Sequence, residues 1–104
     1  MSGWLKQVIA RIRLLAGHGK VTFTYKAFRE VSELDLELDE TDVCMILTEI
    51  GIKKFQGRVR STATREWLYV FAPEVGGVSI YLKVLLRSDC IVISFHEDQK
   101  YETE

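Results

Sequence analysis

Four polar side chains recur at two-residue spacing near the end of the chain: Tyr81 and Lys83 in one run, Ser94 and His96 in the next. Histidine titrates near neutral pH as a residue type, so it serves as acid or base. A lysine ammonium holds a phosphate, and a phenol stacks on a base or orients a hydroxyl. These types suit RNA cleavage by internal attack. There a base takes the 2′-hydroxyl proton, an acid protonates the leaving 5′-oxygen, and cations stabilise the charge on phosphorus. His96 and Tyr81 are the candidate catalytic pair, and Lys83, Arg58 and Arg60 are candidates for the phosphate clamp. The chemistry calls for no metal and no cofactor. Only two histidines exist, and no cysteine or carboxylate falls at ligand spacing with them. The plainer reading is an exposed sheet face, where Tyr, Lys, Ser and His are all common.

A hairpin must hold these groups together. Val78 to His96 reads VSIYLKVLLRSDCIVISFH, two β-rich runs around a polar break at Ser88-Asp89. A two-residue turn there predicts that Arg87 pairs with Cys90, Lys83 with Ser94 and Tyr81 with His96. Side chains alternate across a strand, so Ile80, Leu82, Val84 and Leu86 share the other face with Ile91, Ile93 and Phe95. That face is a hydrophobic wall. Cys90 is expected on the Tyr81 side, with nothing adjacent to activate its thiol.

The remaining elements follow from periodicity. Trp4, Leu5, Val8, Ile9, Ile12 and Leu15 recur at helical spacing and predict a helix over 3–16. Thr24 is a candidate cap for a helix over 25–33, with Ala27, Phe28 and Val31 inward. Asp39 caps a helix over 40–50 whose first turn carries Glu40 and Asp42, where the helix dipole favours them. Val21 to Thr24 is extended or a lead-in, and Lys53 to Gly57 is a short turn of helix or a loop. From Arg58 the period changes to two, and strands are expected over 58–62, 67–72, 78–86 and 90–96. Residues 100–104 read as a frayed tail. Helices first and strands afterwards predict an α+β fold, with the helices on one face of a four-stranded antiparallel meander.

Composition narrows the partners. The chain of 104 residues begins with Met1, has one proline and no visible repeat, and is read as a single domain over 1–104. A net charge of −1 argues against a protein that coats nucleic acid non-specifically. The charges are segregated, however: acidic from Glu30 to Glu49, basic from Lys53 to Arg65. The two runs read either as local attractors for phosphate or as two solvated faces. Cys44 and Cys90 make no disulfide framework, and the cytosol is the expected compartment. No stretch is long enough to span a membrane, and Trp4 to Ala16, interrupted by Lys6, Arg11 and Arg13, reads as a docked surface helix. Gly17-His18-Gly19-Lys20 lacks the length and the Ser/Thr of a phosphate loop. Trp67, Tyr69 and Phe71 read as cross-strand aromatic packing rather than a platform for bases.

Tyr81-Leu-Lys83-Val, followed by Ile91-Val-Ile-Ser94-Phe95-His96-Glu97, resembles the "YLKV…IVSFKE" end of MqsR-family mRNA interferase toxins. Trp67 with Val70-Phe71, the Leu36 to Gly51 segment and Val21-Thr-Phe-Thr are similar to the family as well, and the likeness spans residues 5–98. It implies a RelE/YoeB-like fold and a metal-independent endoribonuclease of a type II toxin–antitoxin system. Such a protein cuts single-stranded mRNA in the bacterial cytoplasm and is held inactive by a cognate protein antitoxin. Tyr81 carries over directly among the functional positions this likeness implies. Lys83 matches the motif. His96 stands where the family commonly has lysine, and Leu68 where glutamine often follows the tryptophan. A further lysine is expected near Phe55-Gln56-Gly57-Arg58, where Arg58 or Lys54 would substitute. These departures keep a second reading in play: a non-catalytic RNA- or protein-binding module on the same fold.

Overall fold

The computed structural model describes residues 3–98. Three helices precede most of the sheet: α1 (Gly3–Gly17), α2 (Tyr25–Glu33) and α3 (Glu40–Thr48). The strands are β1 (Val21–Phe23), β2 (Phe55–Arg60), β3 (Trp67–Phe71), β4 (Glu74–Val75), β5 (Val78–Leu86) and β6 (Cys90–Glu97). The expected tail at 100–104 lies outside the described residues.

Each helix is set by local signals. On α1, Leu5, Val8, Ile9, Ile12, Leu15 and Ala16 form one buried stripe. Thr24 Oγ1 accepts the Ala27 amide at 3.0 Å and opens α2. Asp39 and Asp42 each accept the other's backbone amide, both at 2.9 Å, and open α3 with a capping box. One expectation fails on α2: Ala27 and Val31 are buried, but Phe28 is 48% exposed. In α3, Val43 and Leu47 carry the burial, and the helix ends at Thr48, short of the predicted 50.

The sheet runs β1-β6-β5-β3-β2, so β6, β5, β3 and β2 form the predicted antiparallel meander. Two strands come in addition. β1 pairs in parallel with β6, Val21 against Cys90, which makes the sheet mixed. β4 pairs with the start of β5 across Gly76-Gly77. Both glycines have positive φ (59° and 81°), as a type I′ hairpin turn requires. β2 starts at Phe55, earlier than predicted, behind a single 3₁₀ turn at Ile52–Lys54. It also ends at Arg60, where Ser61 turns the chain by accepting the Arg65 amide at its carbonyl.

All three helices contribute to one buried cluster with the inner face of the sheet: Phe71, Ile80, Leu82, Val84, Cys90, Val92 and Phe95. The α+β class, with helices against one sheet face, is therefore as expected. The makeup of the wall is not. The β5–β6 loop has three residues, because Leu86 rather than Arg87 pairs with Cys90. A bulge at Ile93 then takes up the offset, since Val84 pairs with Val92 and Lys83 with Ser94. Between the loop and the bulge the β6 side chains are flipped from their predicted faces, whereas Val84 and Leu86 of β5 keep theirs. Cys90 and Val92 face the core at 0% exposure, and Ile91 and Ile93 are only half-buried.

Candidate active site

Beyond the bulge the predicted register holds. Tyr81 stands opposite His96, and Lys83 opposite Ser94. Leu82, Ile80 and Phe95 between them point into the core, so these four face away from it. The Tyr81 and His96 rings stack, with centroids 5.1 Å apart and planes 18° from parallel. The Lys83 ammonium lies 5.9 Å from the centre of the Tyr81 ring.

His96 Nδ1 lies 2.9 Å from its neighbour's carbonyl, Glu97 O. A carbonyl only accepts, so Nδ1 carries the proton of this bond. In the neutral imidazole Nε2 is then the lone-pair nitrogen. Stacking and hydrogen bond together orient the ring and select its tautomer, leaving Nε2 to receive a proton.

The edge of β6 brings in two residues that periodicity did not flag. Past β1, no strand among the described residues continues this edge of β6, and α2 packs against it. Glu30 Oε1 accepts the Phe95 amide at 2.9 Å, and Glu30 Oε2 pairs with Lys26 at 2.9 Å. Lys26 also donates to Ser94 Oγ at 3.1 Å. Burial pushes the Glu30 carboxyl up. The Lys26 hydrogen bond, the Phe95 amide and the charges of Lys26 and His96 outweigh it and hold the carboxyl below its ordinary range. The signal the sequence carries for this pair is the i, i+4 spacing of Lys26 and Glu30, which any helix-surface ion pair shares.

Arg58 and Arg60 are not at this site. Arg58 pairs with Tyr69, and Tyr69 with Val84 of the core face, so both arginines stand on the helix side of the sheet. The Arg58 guanidinium lies 4.0 Å from the Trp4 ring centre and 3.9 Å from that of Trp67. Arg60 lies 4.1 Å from Trp67 and donates to the Arg65 carbonyl at 2.8 Å. Such contacts favour arginine, whose planar cation stacks on aromatic faces. The expected clamp therefore reduces, on the Tyr81 side, to Lys83. Of the β3 aromatics, Phe71 packs across the strands as anticipated, edge-on to Phe55 at 5.4 Å, whereas Tyr69 packs on Trp4 of α1 and Trp67 on the two arginines. Leu68, where the resemblance led us to expect glutamine, pairs with Leu85 and through it with Ile91, an apolar row on the outer face.

Three helices on one side of a mixed sheet and a stacked phenol–imidazole pair on the other define an α+β protein with its polar cluster on the bare sheet face. A family model described as motility quorum-sensing regulator, toxin of MqsA, matches residues 6–97. That span is most of the chain, and the chain belongs to this toxin family. No curated protein matches it. Among the described residues no helix is long and apolar enough to cross a membrane.

Proposed function

We propose that this protein is the toxin of a type II toxin–antitoxin pair and acts as an endoribonuclease on single-stranded mRNA in the cytoplasm. A cognate protein antitoxin restrains it. Family membership supports the toxin reading. The observation that carries the nuclease reading is the stacked Tyr81–His96 pair with Nδ1 tied to Glu97 O.

In this reading His96 Nε2 takes the proton of a ribose 2′-hydroxyl. The 2′-oxygen bonds to the adjacent phosphorus and the bond to the 5′-oxygen breaks. The Tyr81 phenol gives its proton to that leaving oxygen, and Lys83 stabilises the charge on phosphorus. The products are a 2′,3′-cyclic phosphate and a 5′-hydroxyl, and water returns the proton from imidazolium to phenolate. These side chains supply base, acid and cation, so the reaction proceeds in EDTA. Purified protein is expected to cut single-stranded RNA under those conditions and leave the cyclic end. Removal of a proton-transfer group costs about 10²–10⁴-fold in rate, and His96→Ala is expected to lose that much. Undiminished cutting by this variant would sink the assignment.

One observation favours a second reading. The row Leu68–Leu85–Ile91 places apolar side chains on the outer face, one of them where we expected a glutamine. A module that binds RNA or a protein without cutting suits such a face. RNA binding with no cyclic-phosphate product would select it.

A further inference from the structure

Two lysines flank Ser94, one by a side-chain hydrogen bond and one by strand register. Lys26, on α2, donates to Ser94 Oγ at 3.1 Å. Lys83 stands directly across β5–β6 from the same serine. Ser94 is the buried polar residue of this face, at 3% exposure. An ammonium has three donors, and Lys26 commits two of them, to Ser94 and Glu30. The third remains for a ligand, on a side chain that is 60% exposed. Ser94, buried, accepts from Lys26 and so orients the ammonium rather than meeting a ligand itself. Glu30, held by the Phe95 amide, fixes the lysine in place and offsets part of its charge. The cluster sits two residues along β6 from His96, about 6.6 Å at the rise of a strand. That is about one nucleotide's reach along an extended chain.

We propose that Lys26, held in place by the buried Ser94, and Lys83 form a seat for a backbone phosphate of single-stranded RNA, adjacent to the phosphate on which Tyr81 and His96 act. The inference deepens the nuclease reading and rests on it for the identity of the strand. It also supplies, on the correct face, the second cation that Arg58 and Arg60 do not. Lys26 is a binding residue here, and its loss moves KM rather than kcat. A lysine that only tethers α2 to β6 would instead change stability and leave the electrostatics of binding alone.

A labelled 2′-O-methyl RNA hexamer tests the seat without the chemistry, because its blocked hydroxyls cannot attack. Binding is followed by fluorescence anisotropy across a sodium chloride series for the wild type, Lys26→Met and Lys26→Arg. The expected result is several-fold weaker binding by Lys26→Met at low salt. Its log–log salt slope should be shallower by about 0.7, one single-strand phosphate contact. Lys26→Arg should retain affinity and slope; Lys26→Met also loses the Glu30 pair, so its lower thermal midpoint is measured and binding is compared well below the melting range of each variant. No binding by the wild type, an unchanged slope in Lys26→Met, or an equal loss in Lys26→Arg overturns the seat. A wild type that binds with the expected slope yet never cuts unmodified RNA leaves the seat standing and removes the nuclease reading. Cutting with an unaltered KM in Lys26→Met removes the seat alone.

Discussion

At His96 the neighbours, not the residue type, decide which ring nitrogen is left available. Stacking on Tyr81 and the bond to Glu97 O leave one ring nitrogen for proton transfer. Cys90 shows the converse. Its thiol, expected on the Tyr81 side with no group to activate it, is instead fully buried in the core, and burial pushes it up to about 12, with the nearby Cys44 and Asp89 charges adding to the rise. At pH 8 almost none of it is thiolate, the reactive form. Mass spectrometry after iodoacetamide treatment of the native protein should find Cys90 unmodified and find it alkylated in denaturant. Rapid native labelling at Cys90 would contradict its place in the core.

The β5–β6 hairpin owes its registration to contacts at both ends. At the loop, Arg11 donates to the Arg87 carbonyl at 2.7 Å, and the Arg87 guanidinium grips Glu66 with two bonds, at 2.7 and 3.0 Å. At the far end Glu30 holds the Phe95 amide. The Arg87 hydrogen bonds, with help from the Thr64 hydroxyl, lower the Glu66 carboxyl to about 2. A carboxyl depressed on folding stabilises the native state above its ordinary value of 4.5, and that contribution fades as pH falls towards 2. The thermal midpoints of wild type and Glu66→Gln should therefore differ at pH 6 and converge as pH drops through that window. The gap should be small and shrink in salt, since Arg87 is exposed and Glu66 half-exposed. A gap that widens in acid would reverse the sign. For α2, Thr24→Ala should cost about 1 kcal/mol in denaturant unfolding by removing the cap; no loss would show the cap to be idle.

Across the molecule, the acidic run begins at the β1–β6 edge of the sheet and the basic run lies along β2 at the other edge, the two meeting where Glu49 and Lys54 line one cleft. The acidic run follows α2 and α3, whose Glu30 and Glu40 lie against β6 and β1, and the basic run follows β2. On the β2 side Arg58 and Arg60 are spent on tryptophan stacking, so a basic sequence segment does not become a phosphate clamp. The polar cluster instead rests on the back of the core, with Phe95 between Ser94 and His96 and fully buried. Deleting such a ring typically costs about 3–5 kcal/mol. Phe95→Ala should show that loss in guanidinium unfolding and blur the Tyr81–His96 contact with it. A variant that unfolds like the wild type would mean the wall does not carry the site.

Alternation and capping signals were enough to read the helices, the meander and the pairing of Tyr81 with His96 from the chain. They are local, written in the spacing of apolar residues and in Thr24 and Asp39. The pairing came out right because two omissions cancelled: a loop one residue longer than read, and a bulge at Ile93 that restores the count. Nothing in VSIYLKVLLRSDCIVISFH distinguishes that path, since Ile91, Val92 and Ile93 are all apolar and either face would accept them. Packing made the choice, by burying Cys90 and Val92. The same holds for what lies far apart in sequence. β1 beside β6, Glu30 on the Phe95 amide, Lys26 on Ser94 and Arg58 against Trp4 join residues from remote parts of the chain. Such contacts leave no periodic trace, because they depend on which elements the core brings side by side.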